Sequence, residues 1–282
     1  MKIIKFIGVT FLGGLAFYVG IIVGSIVAPL LGLSLPPMPA GVSTNQLLLL
    51  TLLTSFILTG ALGYVSLHLS GGFLSRWLVL FFLTWIAYGV NNFLEAAIFT
   101  TMSGPAVVVM YLFSSMFCTA VIAAFLHPQE QGDNFIARTK AFFSGRTLFE
   151  WTWRLLLSFL AFPFAYILFG LLVKPFTYEF YAQQQLGLTA PGWGEILPVL
   201  AVRSLLFLLV ILPVLITWRG SRTSLFVTLG LVLFLLVGGL SLLQAIWYPP
   251  IVRIAHSLEI LADSFVHAGI VVYLLVQPDS KL

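Results

Sequence analysis

Eight runs of mostly apolar residues dominate the chain, at about 6–31, 46–69, 77–100, 105–126, 154–173, 196–217, 224–246 and 252–276. A helix rises 1.5 Å per residue, so about 20 apolar residues cross the hydrocarbon core of a bilayer. Each run is long enough. In lipid the backbone can satisfy its own polar groups only as a helix or as a closed barrel. A barrel would show alternating segments of about ten residues, and the sequence has none. The fold class that follows is an all-α polytopic membrane protein with about eight transmembrane helices. Charge content agrees: 8% of the 282 residues are charged and the mean hydropathy is +1.10, where soluble domains carry about 25% charged residues.

The start, Met1-Lys-Ile-Ile-Lys5 followed by apolar residues, resembles the first part of a signal peptide. The apolar run continues to about Leu33, past the usual h-region of about 7–15 residues, and no small-x-small site follows a short core. A retained first helix is expected. Within it, Gly20 and Gly24 form a small-xxx-small pair of the kind that lets helices approach closely in lipid.

Charge sets the expected orientation. If the runs alternate, Lys2, Lys5, Arg76, Arg138, Lys140, Arg146, Arg154, Arg219, Arg222 and Lys281 all fall on one side. The opposite loops hold only Lys174, with Arg203 and Arg253 just inside spans. The positive-inside rule then places both termini in the cytoplasm. The small loops suit a bacterial inner membrane. Net charge +4 and pI about 9.3 are thus a signature of topology, and no nucleic-acid partner is implied. The single cysteine, Cys118, lies in an apolar run and reads as a packing residue, with no disulfide within the chain.

The chain divides into a first membrane half at 1–127, a cytoplasmic linker at 128–153 and a second membrane half at 154–282. Gly24-Ser-Ile-Val-Ala-Pro29 parallels Gly170-Leu-Leu-Val-Lys-Pro175, and Ala120 to Pro128 parallels Gly269 to Pro278, at similar offsets. Four spans per half would give two parallel four-helix repeats about an axis along the membrane normal. The linker mixes Glu130, Asp133, Arg138, Lys140 and Arg146 with Phe142, Phe143, Trp151 and Trp153. It reads either as an amphipathic helix on the inner leaflet or as a connector with interfacial aromatic anchors. The loop at 174–195 is expected to start with a short helix and to turn at Ala190-Pro-Gly-Trp-Gly194, its aromatic residues marking the headgroup level.

Ionisable residues inside spans are costly in lipid and are functional candidates by default. In the eighth span Arg253, His256, Glu259, Asp263 and His267 are spaced three, three, four and four apart and share one helix face. At matching depth the third span holds Asn91, Asn92 and Glu95, and the sixth holds Arg203. The expectation is one outward-facing polar pocket made of Asn91, Asn92, Glu95, Arg203, Arg253, His256 and Glu259. Glu259, Asp263 and His267 would continue from it as a proton ladder toward the cytoplasm. A di-metal centre built on carboxylates and Glu-x-x-His is disfavoured, since the order here is His256-x-x-Glu259 and Arg253 adjoins it. No nucleophile elbow, zincin motif or phosphate loop occurs, so no catalytic residue, metal or cofactor is assigned.

The leading function is a transporter or carrier that uses titratable residues for proton or cation coupling. The alternatives are a non-catalytic membrane subunit or scaffold, and an intramembrane enzyme acting on a lipid headgroup. The partners expected are membrane lipids, a small-molecule or ion ligand, and a protein partner or second copy.

Overall fold

A computed structural model describes residues 3–38, 41–128 and 134–277. Lys2, Glu130, Asp133, Pro278 and Lys281, which enter the charge count, the linker reading and the repeat reading, lie outside the described residues. Eight helices are long and apolar enough to cross a membrane. They are α1 (Ile3–Leu30), α2 (Thr44–His68), α3 (Phe73–Phe99), α4 (Ala106–Phe125), α6 (Leu148–Ala182), α7 (Trp193–Thr217), α8 (Arg222–Gln244) and α9 (Pro250–Leu275). A shorter helix, α5 (Phe135–Ser144), lies between α4 and α6. The chain is an all-α polytopic membrane protein.

Local chemistry sets the helix starts. Ser43 and Gln46 form a capping box on α2, and Thr147 and Glu150 form one on α6, each satisfying amides that have no partner within the helix. Once started, α6 runs 35 residues through Pro163 and Pro175. The loop expected from Lys174 therefore begins only after Ala182, and the short helix expected there is the last part of α6. A proline removes one donor and crowds one carbonyl, which a long apolar helix packed on neighbours absorbs. In α3 and α8 the backbone widens to π-helix at Trp85–Val90 and Leu235–Gly239.

Among the most apolar windows, 61% of α8 and 56% of α7 is buried, against 22% of α6 and 28% of α1. The first two are therefore central and the last two form the lipid-facing outside, where Phe11, Phe164, Leu171 and Leu172 are exposed.

The main packing pairs of the first half recur in the second. Helix α1 packs on α2 and α4, and α6 packs on α7 and α9; α3 packs on α4, and α8 on α9. Across the middle α2 meets α8, α7 meets α3, and α3 meets α8. Individual contacts follow the same rule. Gln244 Nε2 donates to Thr54 Oγ1 at 2.6 Å, and Arg203 Nη2 donates to Glu95 Oε2 at 2.9 Å. Both members shift by 149 residues, from 95 to 244 and from 54 to 203. Gly89 abuts Tyr111 and Gly238 abuts Ile260, again 149 apart. At the end of the bundle reached by α2 and α7, Ser70 N donates to Thr217 O at 2.8 Å and Arg219 N donates to His68 O at 2.6 Å. These two bonds exchange under the same shift, as a local twofold axis requires.

That end is also capped by guanidinium groups. Arg146 donates to Leu275 O, Arg154 to Leu274 O, and Arg222 to Val272 O and Tyr273 O. Arg138, on α5, reaches Thr217 O and Trp218 O. Cations there meet carbonyls of the last turns of α7 and α9, where the helix dipole favours positive charge. Within the described part of the linker α5 is tied to the bundle, with Trp151 Nε1 of α6 donating to Phe143 O at 3.0 Å.

Candidate functional site

At the opposite end lies a cavity of about 490 Å³. Its walls come from α3, α6, α7, α8 and α9 and from the α6–α7 connection. That connection is tied to the end of α3 by Thr101 N donating to Gly187 O and Thr189 N donating to Phe99 O. Thr100 and Leu188, which face each other across this junction, close part of the mouth.

Two hydrogen-bonded groups occupy the polar wall. In the first, Glu95 of α3 accepts from Arg203 Nη2 of α7 at 2.9 Å and from Tyr166 Oη of α6 at 2.9 Å. Arg203 is only 1% exposed, whereas Glu95 keeps 26% of its side chain accessible. The Arg203 guanidinium also stands over Phe162 and Tyr166, 5.2 and 5.4 Å from their ring centres. A buried guanidinium thus has a carboxylate and two aromatic faces, and the carboxylate still reaches the cavity.

In the second group, His256 Nδ1 lies 2.6 Å from Glu259 Oε2 and His256 Nε2 lies 2.9 Å from Tyr181 Oη. A neutral imidazole fits this geometry by donating from Nδ1 to Glu259 and accepting the Tyr181 hydroxyl at Nε2. A protonated imidazole fits it by donating from both nitrogens, the tyrosine oxygen then accepting. One proton can enter or leave with neither contact broken. Gly170 makes room for Glu259, since a Cβ there would stand 3.2 Å from Oε1. Tyr248, in the α8–α9 connection, adds a phenol that burial pushes above its ordinary range and so stays a neutral hydroxyl.

Glu95, Asn92, His256 and Glu259 therefore line one cavity, with Arg203 directly behind Glu95. Asn92 Nδ2 donates to Leu236 O at 2.9 Å, and its Oδ1 has no partner among the described residues. The same widened stretch of α8 supplies Val237 and Gly238 to the wall. Asn91 is fully buried away from the cavity, with neither amide atom bonded among the described residues. Arg253 is not brought to this wall. Its guanidinium turns back onto Leu242 O and Leu243 O, the last carbonyls of α8. Asp263 and His267 are 5% and 2% exposed and do not line the cavity. His267 lies against the Phe162 and Phe207 rings, and its Nε2 has no partner among the described residues.

Sequence reasoning missed Tyr166, Gly170 and Tyr181. They belong to one face of α6, since Tyr166, Gly170, Lys174, Tyr178 and Tyr181 recur every three or four residues and all line the cavity. That periodicity was the available signal. A shallow depression of about 590 Å³ between α6 and α9 is walled by Leu157, Leu160, Phe164 and other apolar residues, with Tyr273 as its one phenol. Its lining suits contact with lipid tails. Among the described residues no three His, Cys, Asp or Glu side chains come together as metal ligands. Comparison of the chain with protein-family models, curated proteins and solved structures gives no match.

Proposed function

We propose that the protein is a carrier of the cell membrane, both termini cytoplasmic, that binds a small ligand in this cavity and couples its passage to a proton held by His256 and Glu259. One observation supports the reading above others: an open cavity within helices of membrane-spanning length, next to a Tyr181–His256–Glu259 chain that accommodates two protonation states. An ion pair that only locks helices together needs no cavity beside it. A headgroup enzyme needs Arg203 and Arg253 together on the anion, and Arg253 is engaged on the carbonyls of α8. Matched packing in the two halves supports a duplicated four-helix unit. In such a carrier, parallel halves rock about the site between them.

The carrier reading is tested with purified protein in liposomes that enclose a pH-sensitive dye. Small organic solutes of positive, negative and zero charge are added outside in turn. One class is expected to move protons, and Glu259→Gln and His256→Ala are each expected to reduce that flux at least about tenfold, a threshold set below the roughly 100-fold minimum typical of a positioned proton-transfer group. Proton movement with no class, or undiminished flux in Glu259→Gln, would end this reading. Asp263→Asn, one turn beyond Glu259, reports whether the proton continues along α9.

Orientation has its own test. Cys118 is fully buried, so a membrane-impermeant maleimide added to whole cells reads only introduced cysteines. Gly192→Cys is expected to label and Ser144→Cys to label only after the cells are opened. The reverse pattern would invert the topology.

A further inference from the structure

We infer that the ligand is a monovalent organic cation carrying an ammonium group. The inference rests on the carrier reading for its role as cargo and on the cavity alone for its chemistry.

Charge comes first. The cavity wall presents Glu95 and Glu259, and the cation committed to them is Arg203. With His256 neutral, two carboxylates face one guanidinium at the inner wall, which leaves one negative charge there for a ligand to match, the other cation of the lining being Lys174. Lys174, at the rim, has its ammonium 5.0 Å from the Tyr178 ring centre.

The walls come second. Phe99, Tyr166, Tyr178, Tyr181, Trp193 and Tyr248 all contribute to the cavity. Aromatic faces attract cations through the ring quadrupole, most strongly away from water. Tyr166 and Tyr178 already carry protein cations in this way. An anion would meet carboxylates and electron-rich rings. A neutral solute would leave the charge unmatched.

The third observation is the contrast between the halves. Positions 149 residues before Val237 and Ile260 hold Tyr88 and Tyr111, whose rings are 4.4 Å apart and pack with Phe17. Val237 and Ile260 line the cavity. Where the cavity has the charged pair Glu95–Arg203, which joins the two halves, the contact matched to it by the 149-residue shift is the neutral pair Gln244–Thr54. Met110 stands 149 residues before Glu259, with its backbone against Gly24, whereas Glu259 reaches Gly170 through its carboxylate oxygen. One copy of the arrangement is neutral and filled with rings. The other is charged and hollow, with smaller side chains where the rings were. Packing alone explains the first but not the second, because interiors close-pack when nothing has to enter.

The test measures equilibrium binding to protein in nanodiscs of phosphatidylglycerol, by calorimetry. Phenyltrimethylammonium is the probe. Tert-butylbenzene is its uncharged isostere, and benzenesulfonate is its anionic counterpart. Phenyltrimethylammonium is expected to bind at least about tenfold more tightly than either, the ratio that a desolvated cation–π and carboxylate contact supplies. Val237→Tyr with Ile260→Tyr, which copies the first half, is expected to remove binding. Should that variant fail to fold, Ala96→Leu narrows the same cavity and is expected to weaken binding at least about tenfold. Glu259→Gln is expected to weaken the ammonium probe and leave tert-butylbenzene unchanged. Tighter binding of benzenesulfonate, equal binding of the isostere, or undiminished binding after the cavity is filled would each overturn the inference. Repeating the titration in phosphatidylethanolamine separates two sources of one chemistry. Competition by that lipid identifies a headgroup ammonium, and its absence identifies a free solute. Binding of the ammonium probe without proton flux would remove the carrier and keep the ligand class. Flux driven only by anions would keep the carrier and remove the ligand class.

Discussion

Replacing Glu95 with alanine is expected to destabilise the protein by about 3–5 kcal/mol, the range for leaving one partner of a buried ion pair unmatched. Arg203 is 1% exposed and its ion-pair partner is Glu95. After the substitution, its charge would face Phe162 and the Tyr166 hydroxyl, itself left without an acceptor. Solvent reaches Glu95 better than Arg203, so Arg203→Thr alone is expected to cost less than Glu95→Ala. The matching contact supplies a rescue: Glu95→Gln with Arg203→Thr copies the Gln244–Thr54 pair and is expected to recover most of the loss. Unfolding in nanodiscs by denaturant, read as a midpoint at constant slope, measures all three. A Glu95→Ala protein within about 1 kcal/mol of the parent, the scale of an exposed pair, would show that this ion pair holds nothing together.

Gly20→Leu is expected to cost more than about 3 kcal/mol, above the usual range for overpacking, because the obstacle is main chain. A Cβ on Gly20 would stand 2.5 Å from the Ser114 nitrogen and 2.7 Å from the Phe113 carbonyl carbon. Backbone inside a helix cannot step aside as a side chain can, so α1 and α4 would have to separate. Gly8, on the same helix, has nothing within 4 Å of its Cβ position, and Gly8→Leu is expected to be neutral in the same assay. Equal stability of the two variants would mean that the close approach of α1 and α4 contributes nothing. The spacing of Gly20 and Gly24 was visible in the sequence. What they touch was not, since small residues recur throughout apolar helices.

The same division runs through the rest of the molecule. Bilayer thickness makes run length decisive, so the spans could be read to within a few residues, except where α6 continues through Pro175. Depth in the membrane made Glu95, Arg203, His256 and Glu259 conspicuous, because a charge there needs a partner or water. Spacing gave the face of α9 that Arg253 shares with His256 but not its neighbours. The turn at 245–249 brings the end of α8 back beside it, and a long side chain takes the nearest free carbonyls. Tyr181 was hidden by ordinariness, since aromatic residues near span ends usually mark the headgroup layer, and Tyr166, mid-span, has no charge to mark it. The widened turns of α3 and α8 have no signature in residue type. The correspondence between halves is faint as letters, since Glu95 answers to Gln244 and Arg203 to Thr54, and becomes visible only through what those residues hold.

Two bonds of the junction between α2 and α7 join peptide groups: Ser70 N with Thr217 O, and Arg219 N with His68 O. Every residue except an imino acid carries that donor, and every residue carries that acceptor. Side-chain replacement there leaves these two bonds available, so the sequence on either side of them can diverge while the helices stay joined.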